Sequence, residues 1–389
     1  MSASDRDNPD HYRVTVEREL APALARWREW ERDGAAVGLF QRTHWLQAWY
    51  TTLGAQAGRE PVLVSIERRA DGRPLLGLPL VRERRGRLRC IAFADAGVSD
   101  YVAPVCAPDC PDAPGEVRAM FAALRRALPA ADLWSLEKMP ARVGERSNPL
   151  LQLRGTRPSA LFGNPVSVGE DFDAWRFSRG KTHRKELERS WRVFSRHPQA
   201  RWERIEDTGR AMQVMDALEA LQREAIRGKG WAYLLDEPGY REFYRDLLAQ
   251  GLPGGETVLT ALIAGDEIVA ALLGVRQGDE YAMIRIGNAA GEWRNCSPGR
   301  LVIERTMAAL HAQGVRRFDF TIGDYAYKRG FQPDRLDLYD SVLALSWRGW
   351  SHSLRARLLH RTRGWLAQRP ELKRQLSALR ARGGDGDPS

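Results

Sequence analysis

The 389-residue chain has no apolar run long enough to cross a membrane. The longest, Ile268–Val275, is strand-sized, against the roughly 20 residues a spanning helix needs. Cysteine is scarce: Cys90, Cys106, Cys110 and Cys296 are the full set, too few for a disulfide scaffold in a chain of this size, and a reducing compartment is expected. The first residues, MSASDRDNPD, are polar and acidic, which suits neither a signal peptide nor a basic transit peptide. HExxH, P-loop, GxSxG and GxGxxG motifs are all missing. Cys106 and Cys110 sit in a proline-rich loop with no second Cys/His pair, and the seven histidines show no ligand spacing. No metal site is expected. What is present is an ordinary globular mixture, 43% hydrophobic and 28% charged. That excludes wholesale disorder and collagen-like sequence, and the length suggests two domains.

The net charge of +10 is unevenly spread. Trp347–Gly383 carries +9 and Arg176–Arg201 carries +7, so the remaining body is mildly acidic. Each basic segment suits contact with phosphates on nucleic acid, a membrane surface or a nucleotide cofactor. Each equally suits a solvated face in a chain where only six of the 60 basic residues are Lys.

Hydrophobic spacing gives the elements. Leu24, Trp27 and Trp30 predict a short helix in the lead, and Trp45, Leu46, Trp49 and Tyr50 an aromatic-faced one. Strands are expected at 61–67, 75–81 and 88–93, a helix over 115–128 and a strand at 132–136. A Pro/Gly/Ser-rich stretch, Arg142–Val168, reads as a junction. Beyond it come a basic helix over 181–196, a short strand at 201–205, and helices over 208–226 and 240–248. Three strands at 257–263, 268–275 and 280–286 are separated by Gly265-Asp266 and Gly278-Asp279, a hairpin meander. A helix over 298–312 and strands at 317–320 and 342–346 complete this half, which repeats the order of elements of the first. The expected divisions are 1–35 (lead), 36–160, 161–346 and 347–389 (tail). In the tail Trp347, Trp350, Leu354 and Leu358 fall at helical spacing among arginines, fitting basic amphipathic helices that meet a membrane surface or RNA, or that pack on the body.

The segment 287–328 is richest in candidate chemistry. A strand gives way to a helix at Ser297-Pro298-Gly299. Helix N-termini offer unpaired N–H groups and positive potential to an anion. Ser297 can cap, Pro298 suits the first position, Gly299 permits close approach and Arg300 adds charge. The same residues also make a plain helix start. Downstream, alternation turns Asp319 away from Phe318 and Phe320, placing a carboxylate beside this helix as base or orienter. Gly323, Asp324, Tyr325 and Lys328 form a polar turn at the strand's end, which reads as a ligand crevice or as a capped turn with a structural ion pair. His311, on an apolar helix face, reads as structural.

The run Ser297-Pro298-Gly299 through Asp319-Phe320, Gly323-Asp324 and Tyr327-Lys328 resembles the GNAT-like acetyltransferases of the CelD type, linked by name with cellulose biosynthesis. Gly265-Asp266 with Ile268-Val269-Ala270-Ala271, Phe40–Trp49 and Ser99-Asp100-Tyr101 extend the likeness over about residues 40–345. It implies an α/β (α+β) fold of tandem GNAT-like domains, each a mixed, mainly antiparallel sheet flanked by helices, the first degenerate and the second the acetyltransferase. It implies acetyl-CoA or another acyl-CoA as donor, held at Arg294, Ser297, Pro298, Gly299 and Arg300, with Asp319, Asp324, Tyr325 and Lys328 as catalytic residues and no metal. The acceptor expected is a small molecule or a glycan or cell-envelope precursor. The expected location is cytoplasmic, peripheral to the inner membrane if the basic tail docks there. The glycine-rich pyrophosphate loop of many GNAT enzymes is absent, with Arg294–Arg300 in its place, and Asn288 stands where the family often has Asp. The same tandem fold without that loop occurs in FemAB-type transferases, for which aminoacyl-tRNA would be the donor. A non-catalytic scaffold docked on a membrane assembly is the third reading.

Overall fold

A computed structural model describes residues 8–227 and 233–350. The tail helices expected beyond residue 350 lie outside the described residues. In chain order the elements are β1 (Tyr12–Glu17), α1 (Leu20–Arg32), α2 (Thr43–Thr51), β2 (Arg59–Arg68), β3 (Pro74–Arg85), β4 (Leu88–Phe93), β5 (Val105–Cys106), α3 (Pro114–Ala127), β6 (Leu133–Pro140), β7 (Arg142–Val143), β8 (Arg146–Ser147), β9 (Thr156–Gly163), β10 (Pro165–Ser167), α4 (Phe172–Ser178), α5 (Lys181–Phe194), β11 (Arg201–Ile205), α6 (Thr208–Arg227), α7 (Tyr240–Gly251), β12 (Thr257–Ala264), β13 (Glu267–Gln277), β14 (Glu280–Asn288), α8 (Pro298–His311), β15 (Arg317–Asp319), α9 (Ala326–Arg329) and β16 (Leu336–Ala344). No helix among the described residues is long and apolar enough to cross a membrane.

The meander forms as its turns dictate. Gly265 and Gly278 hold φ of +58° and +55°, the left-handed backbone that two-residue hairpin loops require. β11, β12, β13 and β14 are antiparallel neighbours; after α8 the chain returns as β15, parallel to β14, and β10 closes the edge. The other large sheet repeats this order. β1 to β4 are antiparallel neighbours, α3 intervenes, β6 lies parallel to β4, and β16 follows antiparallel, with β9 outermost. The chain is thus a tandem of mixed, mainly antiparallel sheets flanked by helices, as expected.

The edge strands differ from expectation. The stretch 142–168 is not simply a loop: it contains β7 to β10, and its last two strands part company. β9 pairs with β16 in the first sheet and β10 pairs with β15 in the second. β16 begins at Leu336 rather than Val342, and it hydrogen-bonds in the first sheet, not the second. Its charged positions Asp337 and Asp340 hide the strand from a hydrophobic reading. β1 and α4 are additional elements.

The sheets share a core. Trp27, Trp45 and Trp49 of α1 and α2 belong to one buried cluster with Phe243 and Leu247 of α7 and Leu259 and Ala271 of the second sheet. The Trp45 and Phe243 rings meet edge to face at 5.1 Å, and neither has measurable exposure. Aromatic pairs of this geometry add about 0.5–1.5 kcal/mol beyond the area they bury.

Candidate functional site

β14 and β15 pair over only three residues, ending at Ala282 and Asp319. β14 runs on to Asn288 while β15 stops, so the sheet opens beyond this point. β14 also slips register against β13 between Leu273 and Gly274, a bulge that bends a strand and re-aims its side chains. α8 begins beside the opening. Asn288, at the end of β14, packs on the helix start: a Cβ added to Gly299 would lie 2.8 Å from the Asn288 Oδ1.

A cavity of about 320 Å³ occupies this place, lined by Arg294, Ser297, Pro298, Gly299 and Arg300 together with Ile286, Asn288 and Tyr327. Pro298 takes the first helical position, as expected. The Leu301 N–H closes on the Ser297 carbonyl at 3.1 Å, and Pro298 has no N–H. The helix's orphan amides are therefore those of Gly299 and Arg300. Ser297 departs from expectation. Its side chain does not cap the helix; its backbone is left-handed at φ +47°, which for a non-glycine residue costs of order 1–3 kcal/mol. Its hydroxyl accepts from Arg300 Nη2 at 3.1 Å, and Arg300 Nη1 pairs with Glu186 of α5 at 2.9 Å. A basic hollow of about 410 Å³ adjoins this cavity through Arg300 and Tyr327 and adds Arg179, Lys181 and Arg329.

At the other end of the opening, carboxylates from the two halves converge. Tyr101 donates its hydroxyl to Asp319 Oδ1 at 2.9 Å, and the Thr321 N–H reaches the same oxygen at 2.6 Å. Gly163 makes room, since a Cβ there would collide with the Tyr101 hydroxyl. Asp100 lies alongside. The loop that presents Asp100 and Tyr101 is held from below: Lys138 pairs with Asp95 at 2.7 Å and donates to the Ser99 carbonyl, and Trp45 Nε1 donates to the Ser99 hydroxyl at 3.1 Å.

Burial in this cleft pushes the Asp100 carboxyl up to about 6, with the Asp319 charge adding to the rise and Thr321, Lys138 and Lys328 opposing it. Asp319 is raised for the same principal reason, although the hydrogen bonds from Thr321 and Tyr101 favour its charged form. Burial also lowers the Lys328 ammonium to about 8 against the pull of Asp100, Asp319 and Asp324. Both aspartates keep a partly exposed edge, as groups on a cleft floor would. The Tyr327 phenol, which lines the α8 cavity, is raised by burial and by the charges of Tyr325 and Asp100, so cavity and carboxylates are neighbours.

The four residues expected to be catalytic separate. Asp319 and Lys328 belong to the cluster. Lys328 Nζ donates to the carbonyls of Thr321, Ile322 and Gly323 at 3.3, 2.8 and 3.1 Å, which uses all three ammonium protons. It is an anchored positive charge that fixes the turn. Asp324 faces outward and takes Arg329 through both oxygens at 3.2 Å. Tyr325 is 58% exposed, its ring centroid 5.2 Å from Lys328 Nζ. His311 is structural, bonded through Nε2 to the Gly169 carbonyl at 2.8 Å. Asp100 and Tyr101 enter the cluster although sequence reasoning marks them only as part of a resemblance.

The first half has a matching helix start without matching charge. α3 opens with Pro114-Gly115-Glu116 where α8 opens with Pro298-Gly299-Arg300. A carboxylate at a helix N-terminus opposes anion binding there.

Residues 181–329 match the family model for an acetyltransferase (GNAT) domain. The matched segment holds the α8 cavity, Asp319 and Lys328, while Asp100 and Tyr101 reach them from outside it. No curated protein sequence matches the chain. Among solved structures the fold is similar to FemX, at 11% identity and TM-score 0.57 over 85% of this chain and 97% of that one. It is also similar to the C-terminal domain of a protein from Agrobacterium fabrum assigned as a lysylphosphatidylglycerol synthetase, at 13% identity and TM-score 0.51 over 86% and 95%.

Proposed function

We propose that the protein is a GNAT-type acyltransferase of the CelD kind, moving an acetyl or other acyl group from acyl-CoA to an amine or hydroxyl in polysaccharide or cell-envelope metabolism. One observation carries the reading. A helix start with two orphan amides and an adjoining arginine opens into a gap in the sheet, and the gap ends at a pair of raised carboxylates. The diphosphate of CoA suits the Gly299 and Arg300 amides, and the thioester then lies between β14 and β15. The acceptor nitrogen or oxygen attacks the thioester carbon; its bond to carbon forms, the C–S bond breaks and the thiolate leaves. The acceptor's proton passes to the Asp100–Asp319 pair, whose raised affinity for protons suits a base working near neutral pH. Tyr101 orients Asp319, and Lys328 supplies fixed positive potential beside the charge that develops on the carbonyl oxygen. Binding of acetyl-CoA and CoA to the full chain, measured by calorimetry with Arg300→Glu as control, tests the donor.

A second reading has its own observation. α5 lies against the α8 cavity through Glu186 and Arg300, and Lys181, Lys185, Arg189 and Arg192 along it, with Arg196 just past its end, are exposed. A row of cations beside a donor site also suits the phosphates of an aminoacyl-tRNA. Affinity for tRNA that falls steeply with salt, with no affinity for CoA, would select that donor.

A further inference from the structure

Arg285 is a buried cation without a counter-charge. It sits on β14, 6% exposed, and no carboxylate among the described residues pairs with it. Its Nε donates to Gln222 Oε1 at 3.1 Å and its Nη2 to the same oxygen and to the Tyr233 hydroxyl, the latter at 2.9 Å. Its guanidinium carbon lies 4.5 Å from the Tyr244 ring centroid. Nη1 is buried and has no hydrogen-bond partner. The neutral acceptors are spent, because Gln222 Oε1 also takes the Tyr233 hydroxyl at 3.2 Å. Gln222 cannot turn freely, since its amide nitrogen is bonded to the Ile286 carbonyl at 2.9 Å. Gln222 of α6 and Tyr233 thus grip one edge of the guanidinium, Tyr244 of α7 covers its face, and Nη1 is left without a hydrogen bond. An uncompensated buried charge is costly, and an arginine held in this way has its two Nη1 protons left for one anion.

The position of Arg285 says which anion. Alternation along β14 turns Arg285 to the α6 and α7 side, opposite Ile286, which lines the α8 cavity. Asp319 lies opposite Ala282 in the β14–β15 pairing, and Ala282 packs in the cluster that holds Phe243 and Leu247 of α7, so Asp319 and Arg285 lie on the same face of the sheet. On the acyltransferase reading, this is the side from which an attacking group would reach a thioester held in the sheet opening.

We propose that Arg285 binds an anionic group of the acyl acceptor, a carboxylate or a phosphate carried by a small amine-bearing molecule. The proposal rests on the acyltransferase reading for the word acceptor, but not for the anion site itself. Nη1 has no solvent contact, so entry of the anion requires the Tyr233 side of the lining to yield.

The test uses the full chain and paired probes: glycine against glycinamide, and glucosamine 6-phosphate against glucosamine. Binding is followed by calorimetry, and CoA is titrated separately. The anionic member of one pair is expected to bind about tenfold or more tighter than its neutral partner, the scale of a charge-assisted hydrogen bond. The two pairs separate carboxylate from phosphate. Arg285→Gln should remove the preference and leave the CoA affinity unchanged, and Tyr233→Phe, which keeps the charge while freeing an Nη2 proton and loosening the side that must yield, should strengthen the preference. If Arg285→Gln does not fold, Tyr233→Phe alone decides. No preference within either pair, or a preference that survives Arg285→Gln or is not strengthened in Tyr233→Phe, overturns the proposal. A retained anion preference without CoA binding would count against the donor reading alone.

Discussion

Tyr101 and Asp319 lie 218 residues apart in sequence and are joined by a hydrogen bond of 2.9 Å. The bond fixes a loop of the first half against a strand of the second, and it decides how Asp319 holds its charge. A phenol donating to a carboxylate stabilises the ionised form. Tyr101→Phe therefore raises the Asp319 carboxyl further. The expected outcome is an acid limb of the pH–rate profile displaced to higher pH, with turnover at neutral pH reduced roughly tenfold to a hundredfold. An unchanged profile would remove Asp319 from the proton-transfer step.

Asp100 exchanges stability for that chemistry. Its folded carboxyl sits at about 6, above the ordinary value near 3.9 of an unfolded chain. A carboxyl raised on folding contributes most when protonated, below about pH 4, and that contribution is lost as pH rises through about 6. Asp100→Asn is thus expected to melt at a higher temperature than wild type at about pH 8, with the gain vanishing near pH 4, while turnover falls. Equal melting at both values would show that Asp100 is not held against its charge.

Lys138 and Asp95 form the brace under the loop. Breaking a fully buried ion pair from one side costs about 3–5 kcal/mol because the other charge is left alone, and Asp95 keeps 22% of its side chain exposed. Lys138→Met should show a loss below that range in urea unfolding, and Asp95→Asn in the same background should cost little more. Additive losses would mean that the 2.7 Å pair is not coupled.

The halves should unfold together. Trp45 and Phe243 share one buried cluster, and β16 brings the C-terminal strand into the first sheet. Phe243→Ala is expected to destabilise by about 3–5 kcal/mol and to preserve a single cooperative transition. Two separated transitions, with only one displaced, would mean independent domains.

Most of the regular structure is legible in the sequence, for clear physical reasons. The Gly265-Asp266 and Gly278-Asp279 turns mark the meander, and Pro298 marks the start of α8. Strands β9, β10 and β16 are obscured because they are edge or half-buried elements interrupted by Pro158, Pro165, Asp337 and Asp340, whose pairing depends on distant partners. The same limit applies to the site. Arg294 and the run Ser297–Arg300, which line the α8 cavity, lie close together in sequence and stand out locally. Asp100 and Tyr101 gain their meaning from Asp319 and Lys328, and no local pattern announces that meeting. Asp324 and Tyr325 share the turn with Lys328, yet the backbone turns them outward, which spacing alone does not reveal.

Arg300 is the residue on which an acyl-CoA site at α8 depends most directly. Calorimetric titration of the full chain with CoA and acetyl-CoA should show micromolar binding, weakened at least about tenfold by Arg300→Glu, which reverses the charge at the helix start. Glu186→Ala, which frees Arg300 from its 2.9 Å partner, should leave affinity equal or higher. A folded wild type that binds neither ligand, or an Arg300→Glu variant that binds as tightly as wild type, would contradict an acyl-CoA site at α8.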